Sequence, residues 1–286
     1  MSEFVSEFVS EFVSEFVSEF VSLFVCLFVG VHQTTEPSSM LYESEVLSVF
    51  TFFFRDIARD VLPFNHFFDN GIIGTGTCIL SKAPIQDATF HEFSLNGYPH
   101  KVLHGDWFAG KGLGVCGIDY KGLNIHVFVS HFHAEYSRSD DIYLGHRVMQ
   151  ALEAAQWIKL TSSGADLTIY AGDFNTEPVD VPYSLLRSVG SLSDSWVDAH
   201  GVDGGETCGT PYNTYCTINE VEEYPTGKRI DYIMYRAGPD KTVQITECRL
   251  PLARRIPPSL SACLGKEVRL CTLVAGYDCV VLGELQ

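Results

Sequence analysis

Four aliphatic side chains, Leu123, Ile125, Val127 and Val129, recur at every second position and stop at His131. A side-chain period of two belongs to a strand with one buried face, so Leu123–Ser130 is predicted to be such a strand. A second short apolar run, Asp166 to Ala171, ends in Gly172-Asp173-Phe174-Asn175. Between them, Leu144, Val148, Leu152, Ala155 and Ile158 fall at three- and four-residue spacing on one helical face, behind Ser139 or Asp140 as a cap. Ile230–Tyr235 and Val243–Cys248 read as further strands. Strands alternating with helices in this way fit an α/β sandwich, stacked β-sheets flanked by helices.

The polar residues at the strand ends are the candidates for chemistry. Asp173 and Asn175 lie two apart, just past a buried strand, and so share one side of the chain. A carboxylate there can orient a water or protonate a leaving group, and an amide can donate to a phosphoryl oxygen. Taken alone, the same string also fits a strand-ending turn, which favours Gly, Asp and Asn on conformational grounds. His131 and His133 have the spacing to face one site, and a His-x-His pair is equally a zinc pattern. No third or fourth zinc ligand stands at useful spacing, which argues against zinc.

Acidic residues outnumber basic ones 36 to 19, for a net charge of −17. Such a body repels a polyphosphate backbone, and no basic stripe counters it, so nucleic acid is not an expected partner. A divalent cation can still bring a phosphodiester to an acidic protein. The nine cysteines include no Cys-x-x-Cys pair, which fits reduced, mostly buried thiols. No apolar run reaches the ~18–20 residues needed to span a bilayer, and no basic segment opens a signal peptide.

After Met1 the chain reads Ser-Glu-Phe-Val five times over, from Ser2 to Val21, and then decays into Ser22-Leu23-Phe24-Val25 and Cys26-Leu27-Phe28-Val29. A period of four drifts around a helix and puts Phe-Val pairs on both faces of a strand, so it makes no clean amphipathic surface. Residues 1–55 are therefore expected to lie outside the folded domain, with residues 56–258 forming it and residues 259–286 an aberrant tail.

Several segments in order carry a resemblance. Asn70 to Gly76 precedes Cys78-Ile79-Leu80-Ser81-Lys82-Ala83-Pro84-Ile85, then Leu95-Asn96-Gly97-Tyr98-Pro99 and His104-Gly105-Asp106-Trp107-Phe108-Ala109-Gly110-Lys111-Gly112. Ser130-His131-Phe132-His133-Ala134-Glu135-Tyr136, Gly172-Asp173-Phe174-Asn175 and Arg229-Ile230-Asp231-Tyr232 follow. In this order and spacing the chain resembles the neutral sphingomyelinases of the endonuclease/exonuclease/phosphatase superfamily, from about Val61 to Pro257. The resemblance implies that superfamily's fold and Mg²⁺-dependent hydrolysis of sphingomyelin, or a related choline phospholipid, to ceramide and phosphocholine. His131, Asp173 and Asn175 match its catalytic histidine, aspartate and phosphate-binding asparagine. Asp231 and His133 match supporting positions. Trp107, Phe108 and Lys111 are candidates for lipid contact, although Trp107 and Phe108 are equally readable as a buried aromatic pair. The implied place is the cytosolic face of a membrane, reached without a transmembrane helix.

The chain departs from that pattern in two places. No residue in Met1–Phe54 matches the family's metal-binding glutamate, and Ser259–Gln286 contains no Ser-Asp-His base. The expected activity is correspondingly impaired. The alternatives are a catalytically inactive lipid-binding remnant, or a nuclease or phosphatase of the same superfamily.

Overall fold

A computed structural model describes residues 23–28, 62–72, 74–211, 222, 224–250, 273–274 and 278–281. In chain order the strands are β1 (Leu23–Phe28), β2 (Phe64–Phe67), β3 (Thr77–Ser81), β4 (Ile85–Glu92), β5 (Gly112–Tyr120) and β6 (Leu123–His131). They continue as β7 (Leu167–Asp173), β8 (Ser193–Asp194), β9 (Asp231–Ala237), β10 (Ile245–Arg249), β11 (Leu273–Val274) and β12 (Asp278–Val281). The helices are α1 (Asp106–Ala109), α2 (Leu144–Thr161), α3 (Val181–Ser188) and α4 (Ser195–His200).

Among the described residues the strands form a six-stranded sheet, order β4-β5-β6-β7-β9-β8, a four-stranded sheet, order β11-β1-β3-β2, and the pair β10-β12. Ile125, Val127 and Val129 point into a layer shared with Phe68, Ile79, Cys116, Ile118, Leu167 and Ile169, between the two larger sheets. On the other face Phe128 packs with Tyr170, Phe174, Tyr232 and the α2 residues Ala151, Ala154, Ala155 and Ile158. The stacked-sheet α/β sandwich flanked by helices is thus borne out. β6 differs from expectation in one respect: Phe128 and Ser130, on the face opposite the valines, are as buried as the valines themselves. A central strand covered on both faces has no wet side.

The helix between β6 and β7 exists, and of its expected inward stripe Ala155 and Ile158 are buried whereas Leu144, Val148 and Leu152 are not. Arg147, Gln150, Ala151, Ala154, Ala155 and Ile158 are buried, while Leu144 is exposed and Val148 and Leu152 are half-covered. Alanines let α2 approach the sheet closely, and that close packing outranks larger aliphatics one position round. Neither Ser139 nor Asp140 caps it. Tyr143 stands at the cap position with no side-chain cap bond, and the Tyr143 N–H donates to Asp141 Oδ1 at 3.1 Å.

Parts of the stretches expected to lie outside the domain supply strands. β1 runs antiparallel to β3, with Leu23 opposite Ser81 and Leu27 opposite Thr77, and β12 runs antiparallel to β10. An open sheet edge offers unpaired N–H and C=O groups that an apolar segment can satisfy whatever its sequence period. The Ser-Glu-Phe-Val units from Ser2 to Val21, and the stretch from Pro251 to Arg269, lie outside the described residues.

Register positions the site. β6 and β7 run parallel with His131 opposite Asp173, and β7 and β9 run antiparallel with Asp173 opposite Asp231. Cross-strand partners project to the same face. His131, Asp173 and Asp231 therefore form one row across three adjacent strand ends.

Candidate active site

Gly172 lets this row close up. A Cβ on it would lie 1.9 Å from the Ser130 carbonyl oxygen on β6, a distance no side chain can occupy. Beyond the strand ends, the Phe132 N–H donates to the Asp173 carbonyl at 2.9 Å and the Phe174 N–H to the Ile230 carbonyl at 2.8 Å. The three chains thus stay joined where the site begins. Asn175 then turns the backbone with φ of +44°, a conformation that asparagine tolerates better than most residues. Its N–H donates to Asp173 Oδ1 at 2.8 Å and its side-chain amide to the Phe132 carbonyl at 3.1 Å, which fixes both groups.

Within the row, His131 Nε2 lies 3.9 Å from Asp173 Oδ2. Burial holds the His131 imidazole well below the ordinary histidine range, and nearby Lys111 adds to this, so the ring is neutral. Burial raises the Asp173 carboxyl, against the opposing pull of the Asn175 N–H and Lys111. Burial raises Asp231 further, and the Asp173 charge adds to it. Asp231 Oδ1 is buried with no hydrogen-bond partner. Two carboxyls this close and this dry do not both ionise, and Asp231 is the one that keeps its proton.

Behind the row stands a buried ion pair. Lys111 Nζ lies 2.8 Å from Asp106 Oδ1 and donates to the Phe132 carbonyl at 2.7 Å. Asp106 Oδ2 accepts from the Tyr136 hydroxyl at 2.6 Å. Burial opposes ionisation of Asp106, but Lys111 and His133, with the hydrogen bonds from Lys111 and Tyr136, hold its carboxyl far below the usual range. His133 stacks on Tyr143 at 3.7 Å, and its Nδ1 lies 3.9 Å from Asp106 Oδ2. Burial lowers its pKa to about 4.

Lys111 is therefore not a lipid contact. It is 3% exposed, because a buried carboxylate and a carbonyl claim its ammonium. Trp107 and Phe108 lie on the one-turn helix α1, meet edge-on at 4.9 Å, and differ in exposure: Trp107 is 42% exposed and Phe108 half-buried. Sequence reasoning missed Gln150. Its Oε1 accepts from the His133 N–H, and its amide donates to the Leu95 carbonyl, each at 2.8 Å. A polar residue inside the alanine stripe of α2 was the available signal.

Among the described residues no three His, Cys, Asp or Glu side chains converge as a metal site. The orphaned Asp231 Oδ1 and the adjoining Asp173 offer acceptors to a cation, but only part of a donor set.

The fold, with this row of polar residues at the ends of its central strands, defines an α/β sandwich of the endonuclease/exonuclease/phosphatase class. The chain belongs to the endonuclease/exonuclease/phosphatase family, whose model matches residues 28–257. Within it the chain is similar to proteins named sphingomyelin phosphodiesterase or neutral sphingomyelinase. It is 42% identical to human Sphingomyelin phosphodiesterase 2 over 187 residues, which cover 65% of this chain and 44% of that protein. The chain thus spans under half the length of that relative. A Staphylococcus aureus beta toxin mutant solved with bound magnesium ions superposes at a TM-score of 0.54 and 14% identity, over 80% of this chain and 89% of that one. Zebrafish (D. rerio) TDP2 complexed with a single-strand DNA product superposes at 0.53 and 15% identity, over 91% and 96%. Both structures show the fold alone.

Proposed function

We propose that this site hydrolyses the phosphodiester of sphingomyelin, or of a related choline phospholipid, to ceramide and phosphocholine. The observation that carries the reading is the register row of His131, Asp173 and Asp231 with Asn175 beside it, in a chain 42% identical to a sphingomyelin phosphodiesterase. Water oxygen bonds to phosphorus as the bond to the ceramide oxygen breaks, and that oxygen must gain a proton. Asp173, the ionised member of the pair with a pKa raised by burial, can take a proton from the attacking water and pass it to the departing ceramide oxygen, while Asp231 keeps its own proton and so adds no like charge beside it. The neutral His131 can donate an N–H to the phosphoryl group without adding a charge that must be desolvated. Asn175 spends one amide hydrogen on Phe132 and keeps the other for a phosphoryl oxygen.

Mg²⁺ is the proposed cofactor, and when bound it supplies Lewis-acid stabilisation of the phosphoryl charge. The described residues do not complete its site, and Ser259–Gln286 holds no histidine to serve as the base. Weak turnover follows. The proposed setting is the cytosolic face of a membrane, with Trp107 at the lipid surface and residues 56–258 as the working domain. Among the described residues no helix is long and apolar enough to cross a bilayer.

The test is phosphocholine release from sphingomyelin vesicles in Mg²⁺. The chain should give a slow, chelator-sensitive rate that Asp173→Asn and His131→Gln each reduce by on the order of 10²-fold. Vesicle binding with no release at any enzyme concentration would favour the inactive lipid-binding remnant.

A further inference from the structure

On the Asn175 side of the row the surface opens into a cavity of about 180 Å³, lined by Glu135, Asn175, Glu177, Tyr224 and Lys228 among others. Of the residues named, only Asn175, at its mouth, takes part in the hydrolysis above. Lys228 is placed in an unusual way: its ammonium sits over the Tyr224 ring, 4.0 Å from the centroid, and 3.7 Å from Glu135 Oε1. A cation thus already rests against an aromatic face and a carboxylate, the environment that recognises quaternary ammonium groups. The surrounding charges lean the same way. Glu135 also meets Arg138 at 2.9 Å and Arg147 at 3.8 Å, and Arg138 meets Glu177 at 3.4 Å and Asp180 at 3.3 Å. Arg147 in turn pairs with Asp141. Among the described residues of this network four carboxylates face three cations, so an added positive charge improves the balance and an added anion worsens it.

We propose that this cavity is the seat of the substrate's cationic headgroup, and that the Lys228 ammonium holds the seat until a quaternary ammonium displaces it. The proposal rests on the phosphodiesterase reading, because Asn175 fixes the phosphoryl group at the mouth of the cavity. A choline nitrogen stands two carbons beyond the phosphate it esterifies, so a phosphoryl group at Asn175 directs its choline inward. Trimethylammonium has no N–H to donate. It takes the Tyr224 face by cation–π attraction and the Glu135 charge by proximity, and Lys228 swings out to solvent, towards which it is already partly open. Tyr224 and Lys228 are then residues that set headgroup preference, with Lys228 a built-in competitor.

The full chain titrated with choline, phosphocholine and inorganic phosphate, with binding read by saturation-transfer NMR, tests this directly. Choline should bind in the millimolar range. Lys228→Met should tighten it about threefold or more, Tyr224→Leu should weaken it about tenfold, and Tyr224→Phe should leave it unchanged. Unchanged melting temperatures establish that each variant is folded. Weaker choline binding in Lys228→Met, or phosphate binding that depends on Lys228 while choline fails to bind, would overturn the proposal and make the cavity an anion seat. Choline binding with this pattern in a chain that leaves sphingomyelin uncut would support the seat while overturning the proposed activity.

Discussion

Asp173 and Asp231 show what burial does to a carboxylate pair at the scale of single residues. Each faces the other across β7 and β9, and each is pushed upward, by lost solvation first. A group whose folded pKa lies above its unfolded value contributes stability that is fully present below the unfolded pKa and is lost as pH rises through the folded one. Near pH 4 Asp231 is therefore neutral to the fold, and by pH 7 it opposes folding, because the unfolded chain releases a proton that the native site retains. Asp231→Asn cannot ionise. Its stability relative to the parent chain should rise with pH, by up to about 1.4 kcal/mol per unit between pH 4.5 and 7 in urea titrations. Equal differences at the two ends of that window would show that Asp231 is ionised in the native state. The sequence made these two residues visible as motif members. It could not make the pairing visible, because Asp173 and Asp231 meet only through a long-range antiparallel register.

Elements were legible where one local rule decided them. β6 and β7 follow from aliphatic period and run length, and both end at the residues expected to act, His131 and Asp173. The buried face of α2 was only partly legible: the spacing marked Ala155 and Ile158, which are inside, but also Leu144, Val148 and Leu152, while Arg147, Gln150, Ala151 and Ala154 took the rest of that face. Which stripe a helix buries depends on how near its partner sheet must come, and that is a tertiary quantity. Lys111 failed for a related reason: a lysine in a glycine-flanked aromatic segment looks exposed until Asp106 is seen beside it. The strands' mutual approach carries its own test. Gly172→Ala places a methyl 1.9 Å from the Ser130 carbonyl, so β6 and β7 must separate at the point where they align His131 with Asp173. The variant should lose on the order of 3 kcal/mol of stability, as overpacking against backbone does. It should also lose more activity than its residual folded fraction explains. A variant with the parent's melting curve would show that the ladder has slack there.

At the scale of the whole molecule, the fold admits more than one kind of partner, and the charge argues against a nucleic acid. The same sandwich is seen in zebrafish TDP2 solved with single-strand DNA, so architecture alone leaves a polyanion admissible. Binding a nucleic-acid backbone requires cations that replace its counterions, and each phosphate contact needs a lysine or arginine free to make it. This chain has 19 such residues against 36 acids. Several sit in closed pairs: Lys111 with Asp106, Arg229 with Asp194, and Arg147 with Asp141. A zwitterionic headgroup makes no such demand, since its phosphate needs one donor such as Asn175 and its own ammonium is welcome beside carboxylates. We therefore expect no change in the anisotropy of a fluorescent single-stranded oligonucleotide on adding the chain in low salt without divalent ions. Under the same conditions the chain should co-sediment with sphingomyelin vesicles, and Trp107→Ala should weaken that association several-fold if the exposed Trp107 is, as proposed, the side chain that meets the lipid. Oligonucleotide binding that weakens steeply as salt rises would mean that a basic face forms despite the charge of −17, and would move this chain to the nucleic-acid side of its family.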